Sequence, residues 1–155
     1  MSDTGSRGLA TIALMMLALL PAQAAAAATA GEGGALGVTF EGLRSSKGML
    51  RVCLTRNRAL FLKCENDPEA LRASVAASPG ARVSFDHVPP GDYALLVLHD
   101  ENGNAKIDTL LGIPREGVGF SRNPKLSFGP PKFDAVRIRI GTGPSETDVT
   151  LKYFL

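Results

Sequence analysis

Apolar and polar residues alternate along most of the chain beyond residue 35. In LGVTFEGL, Leu36, Val38 and Phe40 fall on one face and Thr39 and Glu41 on the other. GMLRVCLT repeats the pattern with Leu50, Val52 and Leu54 inward and Arg51 and Cys53 outward; ARVSFDHV repeats it with Val83 and Phe85. VRIRI sets Val136, Ile138 and Ile140 against Arg137 and Arg139, and TDVTLKYFL sets Val149, Leu151 and Tyr153 against Thr150 and Lys152. Successive side chains on a strand point to opposite faces, so these five runs predict half-buried strands. A sixth, YALLVL, is apolar on both faces and predicts a central strand. The fold class that follows is all-β: a small antiparallel β-sandwich over residues 36–155, two sheets facing each other across one core.

Two segments depart from this period. NDPEALRASVAASPG offers Asp67 as an N-cap, Pro68 at the first helical position, Glu69 at the positive helix end, and Leu71 and Val75 four apart, with Pro79 and Gly80 as a stop. It predicts one short helix. From Glu101 to Lys132 run thirty-two residues with five glycines, four prolines and no sustained period. Loops of this length in compact domains are either functional or disordered. Leu110, Leu111, Ile113, Val118, Phe120, Leu126 and Phe128 are too apolar to leave in water, so an ordered loop is expected. Ahead of it, VPPGDY forms a turn into YALLVL. A Pro-Gly-x-Tyr turn entering a two-faced strand resembles the transthyretin-like and carboxypeptidase-regulatory-like sandwiches.

The amino-terminal stretch changes the picture of where the chain works. Arg7, a twelve-residue apolar run from Leu9 to Leu20, Pro21 and the triplet Ala22, Gln23, Ala24 form a secretory signal pattern, with cleavage expected after Ala24. Twelve apolar residues are too few to span a bilayer, which takes about twenty, and no cysteine near the cut offers a lipid anchor. The expected organisation is a signal peptide at 1–24, a flexible segment at 25–35 and the sandwich at 36–155. The expected product is periplasmic or secreted, without a stable membrane anchor. Removing the signal takes away Arg7 and Asp3 and leaves sixteen basic against fourteen acidic side chains. So slight and dispersed an excess excludes nucleic acid as an expected partner. Cys53 and Cys64 are the only cysteines; in an oxidising compartment an even count predicts a disulfide, the alternative being two buried thiols.

Candidate chemistry concentrates where YALLVL ends. In HDENGNAKID, the side chains of Asp100, Asn102, Asn104 and Asp108, with the Lys106 carbonyl, have the spacing of oxygen ligands in a loop that wraps a hard cation. Calcium is the expected ion because every donor is oxygen. The likeness to an EF-hand is partial, since Ala105 and Leu111 stand where that loop wants glycine and glutamate; Glu101 or Glu116 is the candidate for a further carboxylate. With two assured carboxylates the dissociation constant falls at roughly 10⁻⁴ to 10⁻³ M. A second reading stays open: Asn102 and Asn104 cap their own backbone in Asx turns without metal.

PPGDYALLVLHDENGNAKIDTLLGIPREGVGFSRNP, followed by FGPPKFDAVRIRI and a closing LKYFL, resembles the bacterial secreted family known as domain of unknown function 2141. The likeness runs through PPG-x-Y, HD-x-N-x-N-x-x-x-D, GIP-x-E and GFS-x-N. It implies the small β-sandwich and no assigned activity. An enzyme is not expected. His87 and His99 are the only histidines, Ser121 in GFSRN lacks the glycine-flanked elbow of esterases, and sugar-stacking aromatics are scarce. The alternative is a periplasmic hydrolase using His99 with Asp100, Asp108 and Glu116. The favoured expectation is a binding or structural accessory whose loop surface, Arg115, Glu116, Phe120, Ser121 and Asn123, meets a ligand or an envelope protein.

Overall fold

The computed structural model describes residues 33–126 and 129–155. The expected signal peptide and most of the segment at 25–35 lie outside these residues, as does Phe128. Ten strands follow in chain order: β1 (Gly34–Glu41), β2 (Met49–Thr55), β3 (Leu71–Ala76), β4 (Arg82–Val88), β5 (Gly91–Asp100), β6 (Thr109–Leu110), β7 (Ile113–Pro114), β8 (Gly117–Phe120), β9 (Arg137–Ile140) and β10 (Pro144–Thr150). One sheet has the order β10-β1-β4, and the other has β3-β2-β5-β8 with β9 also paired to β5. The all-β sandwich is therefore as expected, and each of the six alternating or apolar runs contains a strand, with Val136 outside β9 and Leu151 and Tyr153 beyond β10. One pairing is not antiparallel: β1 and β10 run parallel from Ala35↔Pro144 to Glu41↔Thr150. The chain passes from one sheet to the other between β9 and β10, so the last strand arrives in the direction of the first.

The helix expected after Asp67 is not formed. Leu71–Ala76 is β3, antiparallel to β2 in the register Leu54↔Leu71 to Met49↔Ala76. Leu71 and Val75 suit a helical period, but Leu71, Ala73 and Val75 suit a period of two equally well and are the half-buried set. The open edge of β2 supplies backbone partners that a lone short helix lacks, and tertiary pairing overrides local propensity. Asp67 still caps, but it caps a turn: its Oδ1 accepts from Glu69 N and its carbonyl from Ala70 N. Among the described residues, helical structure instead comprises a 3₁₀ segment, Phe61–Asn66, and a single turn, α1 (Phe133–Val136).

β5 explains the two-layer core. Its inner face, Tyr93, Leu95 and Val97, packs with Leu36, Val38 and Phe40 of β1, with Leu50, Val52 and Leu54 of β2, and with Val149. Its outer face carries Ala94, Leu96 and Leu98, which join Val118 and Phe120 of β8 beneath Phe61, Phe133 and Val136. Phe61 and Phe133 meet edge to face at 5.7 Å. The expected Cys53–Cys64 disulfide is present and fastens the 3₁₀ segment over this outer face. Near β8 the terminal strand crosses closely: a Cβ on Gly117 would lie 2.4 Å from the Tyr153 ring, and one on Gly119 would lie 2.5 Å from Val149 Cγ1. Only glycine fits at these two positions.

Candidate functional site at the end of strand β5

His99 and Asp100 are adjacent, fully buried and turned to opposite faces of the sheet. On the inner side, His99 Nε2 lies 2.8 Å from Lys47 O, which can only accept, so Nε2 carries the proton in the neutral ring. Nδ1 is then the acceptor for the Tyr153 hydroxyl at 2.6 Å. Both nitrogens are engaged within the fold, and the ring is fully buried. Its bonds lead to the β1–β2 connection and the C-terminal tail.

On the outer side, Asp100 organises the acidic loop as a cap. Its Oδ1 accepts from Gly103 N and Asn104 N, and its Oδ2 from Ala105 N and Arg51 Nε at 2.5 Å. Arg51 reaches it because β2 pairs Met49 with Asp100 and Arg51 with Leu98, which places Arg51 one step along on the same face. Burial pushes the Asp100 carboxyl up, but Arg51 and the amides of Ala105 and Gly103 outweigh it, and the group ends below its ordinary range. Asn102 Oδ1 accepts from Asn104 N, and Asn104 Oδ1 from Lys106 N, the two Asx turns of the second reading. Both Asn side-chain amides donate to Asp108 Oδ2, at 2.8 and 2.9 Å. Among the described residues no three His, Cys, Asp or Glu side chains converge as a metal cluster. Any cation here needs amide or carbonyl oxygens as well.

Beside this loop, Arg44, Glu101, Asn102, Asp108, Arg115, Glu116 and Leu155 line a cleft of about 330 Å³. Arg44 binds Glu101 Oε2 through Nε and Nη2, donates to Leu155 O and Arg115 O, and lies 4.5 Å over the Tyr153 ring. The Arg44 guanidinium, with Ser45 assisting against burial, holds the Glu101 carboxyl below its ordinary value. Glu116 is the opposite case. It is only 4% exposed; Oε2 accepts from Asp108 N, and Oε1 is buried with no hydrogen-bond partner. Burial raises its pKa, the Asp108 amide opposes this, and the charges of Asp100, Asp108 and Glu101 add to the rise. Arg44 and Arg51 were not legible as site residues, because each arrives from a distant strand or turn and carries no local motif.

The downstream motif is largely structural. Of the five residues expected on a binding surface, Glu116, Phe120 and Ser121 are buried, Asn123 is half-buried and only Arg115 is exposed. One edge of β5 is shared by β9, at Gly91 to Ala94, and by β8, at Leu96 to His99. Ser121 fills the gap between them: its N–H donates to Leu95 O, its Oγ accepts from Leu95 N, and its hydroxyl donates to Val136 O. Asn123, at φ 46°, reaches the other sheet by accepting from Thr150 N and donating to Asp148. Phe120 belongs to the outer core. Leu110, Leu111 and Ile113, expected to be covered, are exposed on the small β6–β7 hairpin. The loop is ordered by this stitching, not by burying those three residues.

These features define an all-β sandwich whose central strand ends in a capped acidic loop. The family model described as an uncharacterized protein conserved in bacteria, DUF2141, matches residues 38–148, and the chain belongs to that family. No curated protein and no solved structure matches the chain.

Proposed function

We propose that this chain is an exported, transthyretin-like binding module without catalytic activity, whose cleft takes a calcium-class cation at Glu116 and Asp108. The observation that carries this reading is the buried, unpartnered Glu116 Oε1 beside Asp108. A buried carboxylate oxygen without a donor is costly, and either a proton or a hard cation relieves it. Asn102 and Glu101 border the same cleft and supply further oxygen. The expected ligand set thereby moves: Asp100 acts as the cap that shapes the loop, while Asp108, Glu116 and the Asn102 amide face the ion. The turn at Pro89 to Tyr93, closed by the Tyr93 hydroxyl on Pro89 O at 2.8 Å, supports the transthyretin-like reading, and the signal pattern supports export.

Thermal melting across a calcium series to 10 mM tests the proposal. The wild type is stabilised, by about 2.7 kcal/mol at a hundredfold excess over the dissociation constant and about 0.4 kcal/mol near it. Glu116→Gln and Asp108→Asn remove the response. Because the folded pKa of Glu116 is raised, its contribution is favourable below the unfolded carboxylate range and is lost as pH rises through the folded value. Glu116→Gln therefore melts higher than the wild type at pH 7 without calcium, by about 1 kcal/mol. A flat calcium series in the wild type defeats the cation reading and leaves the proton as the partner of Glu116.

A further inference from the structure

We infer that the β6–β7 hairpin is a docking tip for an anionic lipid surface. The hairpin pairs only with itself, Thr109↔Pro114 and Leu110↔Ile113, and joins neither main sheet. Ile107 is 51% exposed, Leu110 53%, Leu111 95% and Ile113 43%, so four large apolar residues are exposed on the hairpin and the run leading into it. The turn adds a second, independent observation. Leu111 and Gly112 have φ of 52° and 79°, the signature of a type I′ turn, whose first central position is normally Asn, Asp or Gly. A leucine held in the left-handed region and in water is disfavoured twice over. Strain of this kind clusters where a surface meets a ligand.

Geometry and charge select the occupant. The four side chains expose roughly 300 Å² of apolar surface, well below the ~800 Å² per partner of a stable protein interface. A narrow convex tip buries little against a flat protein, whereas a bilayer closes around it from all sides. Lys106 and Arg115 bracket the hairpin, both exposed and neither in an ion pair among the described residues. Of the acids beside the hairpin, Asp108 already holds the amides of Asn102 and Asn104, and Glu116 is buried. Basic side chains flanking an apolar tip match lipid phosphates at headgroup depth. The inference stands on the tip alone and does not require the cation proposed above.

Co-sedimentation with vesicles of phosphatidylglycerol in phosphatidylcholine, against phosphatidylcholine alone, tests it in calcium-free buffer with the protein as purified. Leu111→Asn is the informative variant, because asparagine accepts the left-handed conformation more readily than leucine and keeps the fold. The wild type partitions to the anionic vesicles, Leu111→Asn weakens this on the order of tenfold with an unchanged or higher melting temperature, and Lys106→Glu weakens it about fivefold. All share one amino terminus, so the differences report the tip. Absence of wild-type binding, or equal binding by Leu111→Asn, overturns the inference. A concentration-dependent dimer in sedimentation velocity that Leu111→Asn dissolves also overturns it, by making a second copy the occupant.

Discussion

Asp100 accepts three backbone amides and one guanidinium nitrogen and has no exposure to water, so its charge depends on the neighbours that hold it. Its folded pKa is depressed, so the stability it contributes is present above the unfolded carboxylate range and is lost as pH falls through the folded value. Arg51→Met removes the one cationic partner and leaves burial to push the carboxyl up. We expect a loss of about 1–2 kcal/mol at pH 7, short of the 3–5 of a fully buried pair because Arg51 is a third exposed. The acid transition moves to higher pH, as urea midpoints between pH 7 and pH 3 will show. Part of this was legible in sequence: the spacing of HDENGNAKID offers Asp100 as a cation ligand and allows the two Asx turns that form, but not the cap that Asp100 makes. Arg51 was not, because pairing across sheets leaves no trace in local spacing. Ser121's part in the strand junction is hidden for a related reason: a buried serine that replaces a backbone partner looks, in sequence, like any polar loop residue.

At the scale of elements, alternation carried strands well and failed where two periods coincide. β3 satisfies helical and strand spacing together, and the free edge of β2 decided between them. β8 was overlooked because GVGF is short and half glycine, although those glycines record how closely the last strand passes. Gly119→Val places a Cβ 2.5 Å from Val149 Cγ1, with the Thr150 carbonyl at 3.4 Å, so buried Val149 must shift. Overpacking of this kind costs about 1–3 kcal/mol, and chemical denaturation should show the loss with little change in m, since the surface exposed on unfolding stays the same.

Across the whole molecule, the sandwich was legible because one face of each long strand must be apolar. The parallel closure of β1 on β10 was not, since direction depends on where the chain changes sheets. Asn123 and the Val118↔Lys152 bridge tie β8 to that closing segment, so both sheets depend on it. A chain ending at Gly143 leaves β1 without the partner that begins at Pro144, and we expect it to show no cooperative thermal transition by circular dichroism. Pairing residue 35 with residue 144 also brings distant parts of the chain together late, which places folding in the slow, millisecond-to-second class. Residues 144–152 act as a latch: until they pair with Ala35 to Glu41 and bridge Val118, neither sheet has its closing partner.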